Sequence, residues 1–308
     1  MQTTTWNGIS LSQMMLGTVQ FGMPYGIANQ IGQPGYRDIV AIINAATSGG
    51  VNCFDTASAY GQSEEILGRA LKELGIADEV TVVTKVRALT TEELASPRLA
   101  ESAIQASIEL SLQRLQLDCL PIVLFHRECD ADFLGVLANL RDQGKVRYFG
   151  VSCSNIPGAA AEFVHGKQAS ALQIPANIVD HRHLRSGVLG DSLRQNVALF
   201  IRSVYLQGLL AMAEETIPAK LRGILPERQR LTTIATASGL SLTELALRYL
   251  LSLPGIMSIL TGVETREQVQ QNLAMFSKGK LSEDIVSAIH QNAAELPELL
   301  ITPSMWSM

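Results

Sequence analysis

Charge is scarce in this sequence. Asp, Glu, Lys and Arg make up 17% of its 308 residues, and aromatics only 5%. The formal net charge is −5, and no block of like charges occurs. Phosphate binding needs a clustered basic face, so a nucleic-acid partner is not expected. No apolar run approaches the ~20 residues that cross a bilayer. No Lys or Arg precedes Arg37, so the charged start of a signal peptide is missing. The four cysteines (Cys53, Cys119, Cys129, Cys153) form no CxxC pair, and three fall in apolar, strand-like runs. The expectation is a cytoplasmic protein with reduced, mostly buried thiols and no membrane association.

Two nucleotide signatures are missing as well. No GxGxxG opens a helix, and no GxxxxGK[ST] occurs. Neither fingerprint of an open, doubly wound nucleotide-binding sheet is therefore available.

What is abundant is apolar residue, at 47%, enough for a large core. Thr3–Trp6 and Ile9–Gln13 flank Asn7-Gly8, which suits a two-residue hairpin turn. Met14–Val19 is an apolar run, and Phe21–Gly35, rich in Gly and Pro, reads as loop. An alternation follows. Strands are expected at 51–55, 80–86, 119–125, 146–153, 171–177, 198–204 and 256–263. Helices are expected at 36–48, 63–74, 97–115, 132–143, 157–164, 184–194, 231–253 and 265–275. The 231–253 stretch carries a break near Gly239 and a capping box from Ser241 to Glu244. The strands are apolar throughout, as in a parallel sheet covered on both faces. Eight such units close most simply into an α/β (β/α)8 TIM barrel, here with an N-terminal β-hairpin and an extra C-terminal helix at 282–296. No Ser/Gly-rich linker or longer repeat interrupts it, so residues 1–308 read as one domain.

Barrel enzymes work at the C-terminal ends of their strands. The second strand ends at Asp55, the third at Lys85 and the fourth at His126, while Tyr60 follows Asp55 in the same loop. Alone, each has an ordinary explanation: a loop-forming Asp, a solvated Lys, a hydrogen-bonded core His. On adjacent strand ends they suit proton transfer to a carbonyl oxygen. A nearby ammonium would lower the phenol pKa of Tyr60, and Asp55 could hold Lys85 by an ion pair.

These residues carry a family resemblance. The run Gly50-Val51-Asn52-Cys53-Phe54-Asp55-Thr56-Ala57-Ser58-Ala59-Tyr60-Gly61-Gln62-Ser63-Glu64-Glu65-Ile66-Leu67-Gly68 resembles the aldo-keto reductases. So, in order, do Val83-Thr84-Lys85, Leu124-Phe125-His126, Phe149-Gly150-Val151-Ser152 and Leu172-Gln173. The likeness extends from the hairpin to Asn272. It implies a barrel fold and a catalytic tetrad: Tyr60 as general acid, Lys85 as its modulator, Asp55 as the partner of Lys85 and His126 as the group that orients the carbonyl. It implies an NADP(H) cofactor by family habit, with NAD(H) the alternative, and a small-molecule carbonyl substrate. Gly17, Thr18 and Asp55 would meet the nicotinamide ribose, and Ser152 and Gln173 the carboxamide. Ser203, Tyr205, Gln207 and Gly208 would wrap the pyrophosphate. Gly262, Val263, Thr265, Gln268, Gln271 and Asn272 would hold the adenosine.

Three departures from the family pattern stand out. Arg202 takes the place of a tyrosine that stacks on the nicotinamide, where its charge would oppose the oxidised ring and favour reduction. Glu264 sits where NADPH-specific members carry basic residues, with Arg266 close by. Asp180-His181-Arg182-His183 offers an HxH, which is expected to be a solvated loop and not a metal site. The run from Arg202 to Gly208 is also similar to members associated with sugar or surface-polysaccharide metabolism. A different class of reading is a regulatory subunit that senses the cofactor through a reductase-like barrel. A carboxylate-pair hydrolase ranks last, because Asp55 is the only strong rim carboxylate. Specificity is expected from loops 21–35 and 127–132 and from the tail 297–308, where Trp306 would cover the mouth or fray.

Overall fold

The computed structural model describes residues 1–29 and 31–306. Eight parallel strands close a barrel in it: β3 (Met14–Gly17), β4 (Cys53–Asp55), β5 (Thr81–Val86), β6 (Leu120–Phe125), β7 (Val146–Ser152), β8 (Ala171–Pro175), β9 (Ala198–Arg202) and β10 (Ser258–Gly262). β10 pairs with β3 and completes the circle. Each expected strand is present, most of them a residue or two shorter at their ends.

Side chains alternate along a strand, so one set faces the barrel axis and the other the helices. Inside lie Met15, Cys53, Val83, Ile122, Leu124, Ala171, Ala198 and Phe200, all fully buried. Trp6 and Leu11 join this cluster from the hairpin β1 (Thr3–Trp6) and β2 (Ile9–Ser12). The hairpin therefore plugs the lower end of the barrel. Its turn has Asn7 at φ 47° and Gly8 at φ 79°, as the Asn-Gly signal requires. The larger cluster fills the space between strands and helices, including Ile39, Ile42, Leu67, Leu71, Ile104 and Leu250.

The outer helices are α1 (Tyr36–Ser48), α2 (Ser63–Leu74), α3 (Pro97–Leu115), α4 (Leu134–Asp142), α5 (Pro157–His165), α6 (Val188–Arg194), α7 (Leu225–Ala237), α8 (Leu242–Ser252) and α9 (Arg266–Ser277). α1, α2 and α3 match the sequence expectation residue for residue. The stretch expected at 231–253 is indeed broken, and its first half begins earlier because Pro226 suits the first helical turn. Ser241 accepts from the Glu244 backbone N–H, but the reciprocal half of the box is missing. The Glu244 carboxylate instead pairs with Arg248 and Lys278. The tail helix α10 is shorter than expected, Glu283–His290.

The HxH loop corrects the sequence reading. His181 and His183 are 9% and 1% exposed, not solvated. His181 Nε2 meets the Ile178 carbonyl at 2.9 Å, and His183 Nε2 meets the Ser154 carbonyl at 2.8 Å. Between them Arg182 clamps Asp180 and donates to Thr302 Oγ1 at 3.1 Å, tying the tail to the barrel. No group of three or more potential metal-holding side chains exists among the described residues. Cys53 and Cys153 are buried as expected, but Cys129 is exposed. Trp306 is buried and donates to the Leu299 carbonyl, while Ser307 and Met308 lie outside the described residues. No described helix is long and apolar enough to cross a membrane.

Candidate active site

The same alternation that fills the barrel interior builds the site. Two residues beyond the inward-facing Cys53, Val83, Leu124 and Ala171 come Asp55, Lys85, His126 and Gln173. The register sets Gly17 beside Asp55 and Ser152 beside Gln173. The apolar layer therefore ends in a polar layer at the C-terminal rim, over which a cleft of about 600 Å³ opens.

Lys85 is fully buried below that cleft. Its ammonium donates to Asp55 Oδ1 at 2.7 Å and to the Thr56 carbonyl at 2.9 Å. It lies 5.1 Å from the centre of the Tyr60 ring. Burial lowers the Lys85 pKa, and Asp55 opposes that shift. Tyr60 meets His126 edge-on, with ring centres 5.7 Å apart. The four expected tetrad residues are thus brought together, but one expectation about them fails. The Tyr60 phenol is pushed up, not down: burial dominates, the Asp55 charge adds to it, and Arg202 opposes. The Lys85 charge is directed at Asp55 and the Thr56 carbonyl instead. Tyr60 is therefore held firmly in its protonated form. His126 is lowered to about 3 by burial first, then by Lys85, Arg202 and Arg127. It is a neutral imidazole near pH 7.

Tyr60 is positioned by close backbone contact. A Cβ on Gly22 would lie 1.8 Å from the Tyr60 carbonyl oxygen, and one on Gly61 would lie 2.4 Å from the Gly22 oxygen. Only two glycines allow these loops to touch.

The cleft is also lined by Gly17, Ser152, Gln173, Arg202, Ser203, Tyr205, Gln207, Gly208, Gly262, Gln268, Gln271 and Asn272. Three expected cofactor residues do not line it. Thr18 is buried, and its hydroxyl donates to the Asp55 carbonyl at 2.8 Å, bracing the strand end. Val263 is fully buried in the outer core. Thr265 caps α9 by accepting from the Gln268 N–H. Tyr25 and Ala28, from the loop 21–35 expected to set specificity, line the cleft, and so do Gln20, Thr243 and Met275, which sequence reasoning missed. They sit in a nonperiodic loop or on helix ends, where spacing carries no signal.

The residues present fit a nicotinamide dinucleotide. Ser152 and Gln173 offer a hydroxyl and an amide beside Tyr60. Further along, the walls are neutral amides and backbone. The segment 203–208 adopts left-handed φ at Ser203, Leu206, Gln207 and Gly208, so its backbone folds tightly along the cleft. Two buried polar atoms, Gln20 Oε1 and Tyr205 OH, have no hydrogen-bond partner among the described residues. Glu264, which also lines the cleft, is held by Gln268 Nε2 at 2.8 Å and Gln20 Nε2 at 3.4 Å.

Comparison with known proteins identifies the family. The chain is 29% identical over 287 residues to the aldo-keto reductase YhdN of Bacillus subtilis, covering 85% of this chain and 84% of that one. It is 27% identical over 292 residues to the L-galactose dehydrogenase of Arabidopsis thaliana, covering 87% and 85%. The holo form of an aldo-keto reductase from Bacillus halodurans superposes with a TM-score of 0.79 at 20% identity, over 97% of this chain and 99% of that chain. The Aldo/keto reductase family model matches residues 13–294, so the chain belongs to the aldo/keto reductase family of oxidoreductases.

Proposed function

We propose that this protein reduces an aldehyde or ketone with a nicotinamide cofactor, Tyr60 giving the proton. The observation that carries the reading is the buried Lys85–Asp55 pair beside the edge-on rings of Tyr60 and His126, in one dinucleotide-sized cleft. A bound nicotinamide supplies the hydride for the carbonyl carbon. The protein does the rest. His126 donates an N–H to the carbonyl oxygen and orients it. Tyr60 releases its phenolic proton to that oxygen as negative charge grows there. Lys85, held against Asp55, stabilises the phenolate left behind, and this is where its charge takes effect.

Family habit points to NADP(H). Glu264 supports NAD(H) instead. Its carboxylate faces the cleft, where it would repel a 2′-phosphate and accept the ribose hydroxyls of NADH. Arg202 is the only Lys or Arg lining the cleft among the described residues. Its charge disfavours the oxidised, positive ring, so reduction is the favoured direction.

Titration with NADH, NADPH and NAD⁺ in parallel, followed by turnover on a panel of aldehydes and ketones, tests these statements. NADH is expected to bind tightest. Tighter NAD⁺ than NADH binding would overturn the directional reading. Tyr60→Phe is expected to lower kcat by about 10²- to 10⁴-fold with cofactor affinity little changed. Tight cofactor binding with no turnover on any carbonyl would favour the cofactor-sensing role over the enzyme.

A further inference from the structure

Four cations at or just beyond the strand ends, or in the loops that follow, are ion-paired. Lys85 has Asp55 at 2.7 Å, Arg87 has Glu93 at 2.6 Å, Arg127 has Asp130 at 2.8 Å and Arg182 has Asp180 at 2.8 Å. Arg202 differs from these four. It ends β9, pairs in register with Pro175, and lines the cleft with Tyr60 and His126. No carboxylate lies within ion-pair distance of it among the described residues.

Its hydrogen bonds leave most of the guanidinium open. Nη2 donates to the Cys153 carbonyl at 2.9 Å, and Nη1 donates to Ser203 Oγ at 3.2 Å. A guanidinium carries five N–H donors in a fixed planar fork. Three of them therefore have no protein partner among the described residues. The two contacts fix the head between Cys153 on the chain after β7 and Ser203 beside it, on the wall of the cleft that Tyr60 and His126 also line. Its charge there is felt by Tyr60, Lys85 and His126. The two carboxylates that line the cleft are engaged elsewhere: Asp55 by Lys85 and Gln173, Glu264 by Gln20 and Gln268.

A partly desolvated, unpaired guanidinium beside the proton donors favours an oxyanion that arrives with the reacting carbonyl. We propose that Arg202 sets substrate class: the protein takes aldehydes or ketones that also bear a carboxylate, which the open fork of Arg202 grips while Tyr60 and His126 meet the carbonyl. Fork and carboxylate match in plane and spacing, and such bonds are stronger than neutral ones. This rests on the reductase reading given above and adds the substrate's second group.

The test compares oxo acids of two to six carbons with their primary amides, which keep the size and lose the charge. For the wild type, kcat/KM for the best acid is expected to exceed that for its amide by about 10- to 100-fold, the range of a hydrogen-bonded charge pair. In Arg202→Gln this ratio should fall to near one, and Arg202→Lys should recover part of it. A general loss of activity lowers acid and amide alike and leaves the ratio unchanged, so such a result overturns the proposal. So does a wild-type ratio near one. A second measurement needs no turnover: calorimetric titration of the NADH-bound protein with succinate, an unreactive dicarboxylate. Binding at least tenfold weaker in Arg202→Gln supports the proposal, and equal binding overturns it. A variant whose NADH affinity falls while acid selectivity persists would assign Arg202 to the cofactor instead. Absent turnover with Arg202-dependent succinate binding would sink the reductase reading and leave the anion site standing.

Discussion

Gln173 and Lys85 donate to the same oxygen of Asp55, Oδ1, each at 2.7 Å. One donor comes from β8 and the other from β5, so a single carboxylate on β4 gathers groups from across the barrel mouth. Asp55 is thus less a proton donor in its own right than the counter-charge that keeps a fully buried ammonium ionised. Asp55→Asn leaves that ammonium uncompensated, and breaking a buried pair in this way costs about 3–5 kcal/mol. The expected outcome is a fall of that size in urea stability, together with strongly reduced turnover. The stability loss should shrink in Asp55→Asn/Lys85→Met, which removes both charges. An unchanged midpoint in Asp55→Asn would mean that Lys85 is neutral in the folded protein.

His126 gives a prediction in pH. Its folded pKa is lowered to about 3 from 6.5. Between those values the unfolded chain binds a proton that the folded site refuses. The contribution is fully present above pH 6.5 and is lost as pH falls towards 3. His181 and His183 are lowered as well, burial again leading, and act in the same direction. Urea midpoints at pH 7.5 and pH 5 are expected to drop more in the wild type than in His126→Gln. Equal drops would show that His126 is as free to protonate folded as unfolded. In the pH–rate profile no inflection from His126 is expected above about pH 5, because its imidazole is neutral throughout that range.

Gly22 touches the backbone of the Tyr60 loop so closely that a methyl group has no room. Gly22→Ala must push that loop away or shift the helical turn at Val19–Gly22. Overpacking of this kind costs about 1–3 kcal/mol. Activity should suffer more than stability, since a displacement near 1 Å at a reacting group lowers rates about 10²-fold. The expected result is a modest fall in melting temperature with a fall in kcat of about that size. Full activity would show that the Tyr60 phenol does not depend on this contact.

The tetrad was legible in the sequence because each member stops an apolar run. Cys53-Phe54, Val82-Val83 and Leu124-Phe125 announce strands, and the next polar residue falls at the rim. Period-two alternation then decides which of those residues face inward, and it is fixed by closure of the barrel. The direction of the Tyr60 shift was not legible. It is set first by how deeply the phenol is buried and then by the Asp55 charge, neither of which spacing reveals. The burial of His181 and His183 was hidden too, because an HxH flanked by charges looks solvated until the tail packs over it. The loop 21–35 was legible as a source of specificity, but which of its residues face the cleft was not, because a Gly- and Pro-rich loop has no period to read. Arg202 and Glu264 were visible as departures from a family pattern, and the structure supplies what each one touches.

Glu264 gives the last prediction. Its carboxylate is fixed by two amides, Gln20 from the loop after β3 and Gln268 from α9, and its backbone N–H donates to Gln268 Oε1 at 2.6 Å. It is therefore a placed acceptor and not a mobile surface charge. A ribose with both hydroxyls free can donate to it, whereas a 2′-phosphate brings a second anion against it. Glu264→Arg reverses the sign at a point where Gln268 still shapes the wall. The ratio of kcat/KM for NADPH over NADH is expected to rise by about 10²-fold, equivalent to roughly 2.7 kcal/mol. The gain should diminish as salt is raised, since a partly exposed charge is screened within about 8–10 Å at moderate ionic strength. A ratio that does not move would mean that the ribose lies elsewhere along the cleft. Glu264→Gln separates the two contributions: removal of repulsion alone should deliver only part of the change, and the guanidinium the remainder.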